Sequence, residues 1–178
     1  MSKINIFCFG FGQVAEGFIN KLIQEKKDFD LSITSRQETH QIELNNLKIK
    51  SYHFTNDKFD SSINKKLKEA NYILISIPPI EGKDIVAKYF DKNLQGITNC
   101  KWITYLSATS VYGDHKGEWV NENSITKPTS SIGSSRLAAE NTWKKLSNKN
   151  KYPLQIFRLA GIYSNEFNVL KRLQTGKL

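Results

Sequence analysis

Cysteine, proline and methionine are scarce: the 178 residues hold two, four and one of them. Two cysteines cannot staple a small fold. Cys8 lies inside an apolar run and Cys100 just before another, which suits small core hydrophobes better than a disulfide in a reducing compartment. His40, His53 and His115 are scattered and stand near no cysteine pair, so no metal site is expected. No apolar run approaches the ~20 residues that span a bilayer, so no membrane partner is expected. The opening residues lead straight into a strand-like segment, without the charged start and long apolar core of a secretory signal. The cytoplasm is the expected location.

Acidic residues are also in deficit, 17 against 26 lysines and arginines, leaving a net charge of +9. Such an excess raises nucleic acid as a partner. Nearly all of it is lysine, however, since arginine occurs only at Arg36, Arg136, Arg158 and Arg172. Lysines such as Lys65, Lys66 and Lys68 are dispersed through polar helix faces and loops. Without a basic stripe interleaved with aromatics, the pattern argues against nucleic-acid binding. Hydrophobic content of 39% is ordinary for a globular protein, and the length suits one domain, 1–178, with a real core. The oligomeric state stays open.

What the chain does have is alternation. Ile4–Phe9 is a short apolar run, and 13–26 carries Val14, Phe18, Leu22 and Ala15, Ile19, Ile23 at helical spacing. Residues 31–34 and 47–54 read as strands, and 59–70 as a helix with Ile63 and Leu67 apolar among lysines. Residues 72–77 form a third apolar run, stopped by Pro78 and Pro79. A helix over 84–90, a strand over 102–106, a helix over 131–146, a sixth strand over Leu154–Leu159 and a short helix over 168–173 complete the pattern. Strands separated by crossover helices imply an α/β, doubly wound parallel sheet of the Rossmann type, with helices on both faces. Right-handed crossovers make 3-2-1-4-5-6 the expected order of about six strands. The long connection 107–130 would lie outside the carboxyl ends of the strands, where such sheets bind ligands.

Between the first strand and the first helix, Gly10-Phe11-Gly12-Gln13-Val14-Ala15 matches G-x-G-x-x-A. Gly10 would permit the tight turn, Gly12 the close approach of a pyrophosphate, and Ala15 the packing of helix on strand. The unpaired amides that open the helix would favour the anion. The strand–turn–helix context is what a chance match lacks. At the end of strand two stands Thr34-Ser35-Arg36, with no acid to receive an adenosine ribose. Hydroxyls and a guanidinium favour a 2′-phosphate, so the cofactor is NADP or NAD with NADP preferred.

Further on, residues 107–113 read S-x-x-x-V-Y-G, residues 127–140 form a proline-led start to the helix over 131–146 with Glu140 at their end, and Leu159-Ala-Gly-Ile-Tyr163 follows the last strand. With the glycine turn, these segments resemble the extended short-chain dehydrogenase/reductase superfamily, the NAD-dependent epimerase/dehydratase branch that acts largely on nucleotide sugars. The resemblance covers essentially the whole chain. It implies a dinucleotide site built from Gly10, Phe11, Gly12, Gln13 and Val14, from Ser35 and Arg36, from Ile77, Pro78 and Pro79, from Ser107 and Arg136, and from Ala160 and Gly161. It also implies a nucleotide-sugar or other small-molecule substrate.

In that family a tyrosine on the later helix is the general acid/base, a lysine one turn on lowers its pKa and holds the nicotinamide ribose, and a loop serine or threonine steadies the substrate oxygen. Here the three positions hold Ile132, Arg136 and Ala108. Isoleucine has no exchangeable proton. Arg136 keeps the charge but does not deprotonate. Thr109 and Ser110 stand one and two residues from Ala108, and Tyr112 and His115 are the nearby side chains able to carry a proton. The implied catalytic set is therefore Thr109, Ser110, Tyr112 and Arg136. These departures resemble the atypical members of the superfamily. They leave two expectations: an oxidoreductase with altered proton transfer, or a non-catalytic dinucleotide-binding sensor or scaffold. Family members usually continue into a small substrate lobe, and the residues after Gln174 resemble the helix leading into it, so that lobe is expected to be absent or truncated.

Overall fold

The computed structural model describes residues 3–95, 97–164, 168–174 and 176. In chain order the elements are β1 (Ile4–Phe9), α1 (Gln13–Gln24), β2 (Phe29–Ser35), β3 (His40–Leu44), β4 (Leu47–His53), α2 (Ser62–Glu69), β5 (Tyr72–Ile75), α3 (Ile85–Leu94), β6 (Trp102–Ala108), α4 (Ser131–Asn150), β7 (Leu154–Leu159) and α5 (Val169–Gln174). A single 3-10 turn, Thr109–Val111, follows β6. The seven strands form one sheet in the order β3-β4-β2-β1-β5-β6-β7.

Six of these strands are parallel and reproduce the expected 3-2-1-4-5-6 order. The seventh is new. β3 pairs antiparallel with β4, His40 opposite Ser51 and Leu44 opposite Leu47, and extends the sheet by an edge strand. Asn45 and Asn46 make the connecting turn with φ of 49° and 65°. A two-residue hairpin with both central residues left-handed is the form whose twist matches its flanking strands, and asparagine tolerates that conformation better than most.

Helices cover both faces of the sheet, unequally. On one face, Ile63 and Leu67 of α2, Val86, Phe90 and Leu94 of α3, and Ala139 and Trp143 of α4 pack on Phe7, Phe9, Tyr52, Ile73, Ile75, Ile103 and Tyr105. On the other, among the described residues, α1 alone supplies Ala15 and Ile19 against Ile6, Cys8, Leu31, Ile33, Ile49, Leu74 and Leu106. Both faces of the central strands are therefore buried. This is why their sequences are continuous apolar runs rather than alternating ones. Burial pushes the Cys8 thiol up to about 12, as befits an inert core side chain. Among the described residues no helix is long and apolar enough to cross a membrane.

α4 runs four residues past its expected end, and α3 likewise reaches Leu94. Both are tied at their starts. Asp84 caps α3 by accepting from the Ala87 amide at 2.9 Å, and Ser130 caps α4 by accepting from the Gly133 amide at 3.0 Å. α2 begins at Ser62 instead of at 59, because Phe59 pairs with Phe54 in a short antiparallel bridge before the helix opens.

Candidate functional site

The carboxyl ends of the six parallel strands converge on one cleft of about 900 Å3. It is lined after β1 by Gly10–Val14, after β2 by Thr34, Ser35 and Arg36, and after β4 by the segment 54–57. Ser76, Ile77 and Pro78 line it after β5, Leu106, Ser107 and Ala108 at the end of β6, and Leu159 and Ala160 at the end of β7. The cleft straddles β1 and β5, where the strand order reverses. That is the place at which open α/β sheets bind ligands.

The glycine turn is shaped by its neighbours. Gly10 has φ of 79°, and a Cβ there would come within 2.9 Å of both Ile77 Cγ1 and Ser76 Oγ. Its amide donates to Thr34 Oγ1 at 2.9 Å, tying the turn to β2. Only glycine meets both demands, the left-handed backbone and the close approach to β5. Gly12 is different. It is the N-cap of α1 with extended backbone, its helix has no side-chain cap, and a Cβ there would meet no atom within 4 Å. The first amides of a twelve-residue helix thus open onto the cleft, with no side chain among the described residues capping them.

At one end of the cleft Ser35 Oγ accepts from Ser51 Oγ at 3.0 Å and from the Gln37 amide at 3.3 Å, while Arg36 is exposed and lines the cleft. Asp57 is the one carboxylate among the lining residues, which also include two guanidiniums, Arg36 and Arg136. At the other end Arg136 is half-buried on α4, and its Nη1 donates to the Leu106 carbonyl at 2.6 Å. Ile132, one turn earlier, is 70% exposed.

Behind this end lies a buried ionic cluster that sequence reasoning missed. Glu140 is fully buried and accepts from Arg158 Nε at 3.0 Å, Arg158 Nη2 at 2.8 Å and Ser107 Oγ at 2.6 Å. Burial pushes its carboxyl up, but the hydrogen bonds from Arg158 and Ser107 outweigh that and hold it below the usual carboxylate range. Arg158 lies over the Tyr112 ring at 4.8 Å. The cluster fastens β6, α4 and β7 together directly under Ser107. The Ser-to-Glu spacing of 33 residues gave no local signal.

Of the residues expected at the cofactor site, Gly10, Phe11, Gly12, Gln13, Val14, Ser35, Arg36, Ile77, Pro78, Ser107, Arg136 and Ala160 line the cleft. Pro79 and Gly161 adjoin it in the chain without lining it. Of the four residues implied for catalysis, Arg136 alone lines the cleft. Thr109 is exposed on the 3-10 turn, Ser110 has a buried hydroxyl without a hydrogen-bond partner, and Tyr112 is buried against Arg158. His115 sits in the following loop with Nε2 3.1 Å from the Ile125 carbonyl oxygen. Thr34, read with Ser35 and Arg36 at the end of strand two, also lines the cleft, as do residues outside the expected cofactor set: the 54–57 segment, Ser76, Ile80, Ile85, Leu106, Ala108, Leu159 and Ile162.

No protein-family model matches the sequence, and no curated protein matches it either. Solved structures do. A functionally unknown conserved protein from Silicibacter pomeroyi superposes with a TM-score of 0.76 at 26% identity, over 96% of this chain and 57% of that one. UDP-glucuronic acid 4-epimerase from Bacillus cereus, in complex with NAD, gives a TM-score of 0.76 at 16% identity, over 98% and 65%. UDP-N-acetylglucosamine 4-epimerase from the same organism gives 0.67 at 19%, over 92% and 56%. The chain spans roughly three fifths of the length of these proteins. Its fold is therefore the Rossmann-type fold that these UDP-sugar epimerases share.

Proposed function

We propose that the chain binds NADP or NAD in this cleft, as an atypical extended short-chain dehydrogenase/reductase. The observation that carries the reading is the glycine turn: uncapped amides at the start of α1 face open space beside Gly12, at the strand-order reversal. Gly10–Val14 would receive the diphosphate. Ser35 and Arg36 would hold the adenosine ribose and its 2′-phosphate, which gives the preference for NADP. Ile77, Pro78, Ser107 and Ala160 would wall the nicotinamide half, and Arg136 would lend part of its guanidinium to the nicotinamide ribose. The bound cofactor supplies hydride chemistry, and the residues named here bind and orient it.

Whether turnover follows depends on the far end. Ile132 offers no proton, and Ala108 offers no hydroxyl where the family has one. This favours a second reading, a dinucleotide sensor or scaffold without turnover. The first reading takes a nucleotide sugar or another carbonyl compound as substrate, with proton transfer from a group other than residue 132. Incubation with NADPH and a panel of UDP-sugars and carbonyl compounds separates the two. Oxidation of NADPH that depends on substrate supports the enzyme. Thermal protection by NADPH with no oxidation supports the sensor.

A further inference from the structure

Arg136 forms no ion pair with any carboxylate among the described residues, and the one acid whose charge it feels, Asp84, is not in contact with it. Its Nη1 goes to the Leu106 carbonyl, a neutral acceptor. Asp84 and Glu140 stand on the elements around it; Asp84 attracts Arg136 from a distance, and both acids give their hydrogen bonds to other donors. Asp84 gives its oxygens to the Ala87 amide and to Trp143 Nε1, at 2.9 and 3.0 Å. Glu140, one helical turn beyond Arg136, gives its oxygens to Arg158 and Ser107. The segments that follow β5, β6 and β7 line the cleft mainly with apolar side chains, among them Ile80, Ile85, Ala108, Leu159 and Ile162, with Ser76 and Ser107 the hydroxyls. A guanidinium does not escape such a setting by losing its proton, and a half-buried cation facing apolar walls is costly until an anion joins it.

We propose that Arg136 is the anchor for a second ligand bearing a carboxylate on an apolar body, seated at the Ile80–Ala108–Ile162 end of the cleft. This deepens the dinucleotide reading and rests on it, since the cofactor would fill the remainder of the cleft and close the ligand's other side. Three observations select this chemistry. One guanidinium balances one negative charge, as a carboxylate requires, whereas a phosphate dianion needs further donors and the nearby Ser107 hydroxyl is already spent on Glu140. The fork left after the Leu106 bond matches two carboxylate oxygens. The apolar walls suit a hydrocarbon or ring better than a polyhydroxylated one. Anion recognition by Arg136 then takes over the substrate-holding task that a hydroxyl at residue 108 would have performed.

The test uses the full chain with and without saturating NADPH, and three probes: benzoate, its neutral isostere benzamide, and phenyl phosphate. Binding is followed by calorimetry and by the NMR shift of the Arg136 Nε–H signal. Benzoate should bind the NADPH-loaded protein and move that signal, benzamide should not bind, and phenyl phosphate should bind more weakly than benzoate. Arg136→Gln should weaken benzoate about tenfold or more, and Arg136→Lys should retain part of the affinity. The signal shift in the unaltered protein stands as a readout even where a variant fails to fold. Absence of benzoate binding, equal binding of benzamide, preference for phenyl phosphate, or undiminished binding by a folded Arg136→Gln would each overturn the proposal. NADPH affinity is measured on the same samples, so loss of cofactor binding with the benzoate response intact strikes the dinucleotide reading alone. An Arg136→Gln effect confined to NADPH would assign the charge to the cofactor and end the carboxylate proposal.

Discussion

Arg158 on the edge strand grips both carboxylate oxygens of Glu140 on α4, at 3.0 and 2.8 Å, in a position closed to solvent. Removing one partner of such a pair strands the other charge out of water. Glu140→Gln should therefore destabilise the fold by roughly 3 kcal/mol near neutral pH, measured by urea unfolding. The pH dependence follows from the lowered folded-state value of Glu140. Its stabilisation is fully present above the unfolded carboxylate range and is lost as pH falls through the lower folded-state value. The variant should lack that acid-side loss. Equal stability of variant and parent at neutral pH would remove the pair from the account.

Gly10 tests the turn as a fold element. A side chain there must adopt positive φ and displace Ile77 and Ser76. Gly10→Ala should lower stability by about 1–3 kcal/mol, seen as a drop in Tm with or without cofactor. An unchanged Tm would mean the turn is looser than its contacts with β5 imply.

Arg36 tests cofactor choice. It is exposed at the end of β2 and lines the cleft beside Ser35. Arg36→Asp replaces a phosphate partner with a ribose partner of opposite charge. The variant should lose affinity for NADPH by about tenfold or more, while NADH is held as well or better. Parallel loss for both cofactors, or none for either, would take Arg36 out of the site.

Much of this was legible in the chain because the sheet is buried on both faces. Apolar runs such as Ile4–Phe9 and Tyr72–Ile75 need no alternation to be recognised, and the order of such runs among helices implied the parallel strand order. β3 was hidden for the opposite reason. His40–Leu44 has one side half-exposed and the other fully exposed, so it lacks the hydrophobic content that marks a strand, and Asn45-Asn46 is a weaker turn signal than asparagine before glycine. The cleft lining at Gly10–Val14 was readable from a local motif. The Glu140–Arg158–Ser107 cluster was not, because it exists only once α4 has packed across β6 and β7. Tyr112 shows the same limit: its loop position suggested chemistry, while its burial against Arg158 depends on the edge strand arriving.

Gly12 offers the most direct measurement of dinucleotide binding, because a Cβ at this position meets no atom of the described residues within 4 Å. Calorimetry with NADPH, NADP and NAD, run on the parent chain and on Gly12→Val, compares binding in two proteins of the same fold. The parent should bind cofactor, most strongly NADPH or NADP, and the variant should lose that binding with its Tm unchanged. No binding by the parent at millimolar cofactor, or full affinity in the variant, would contradict it.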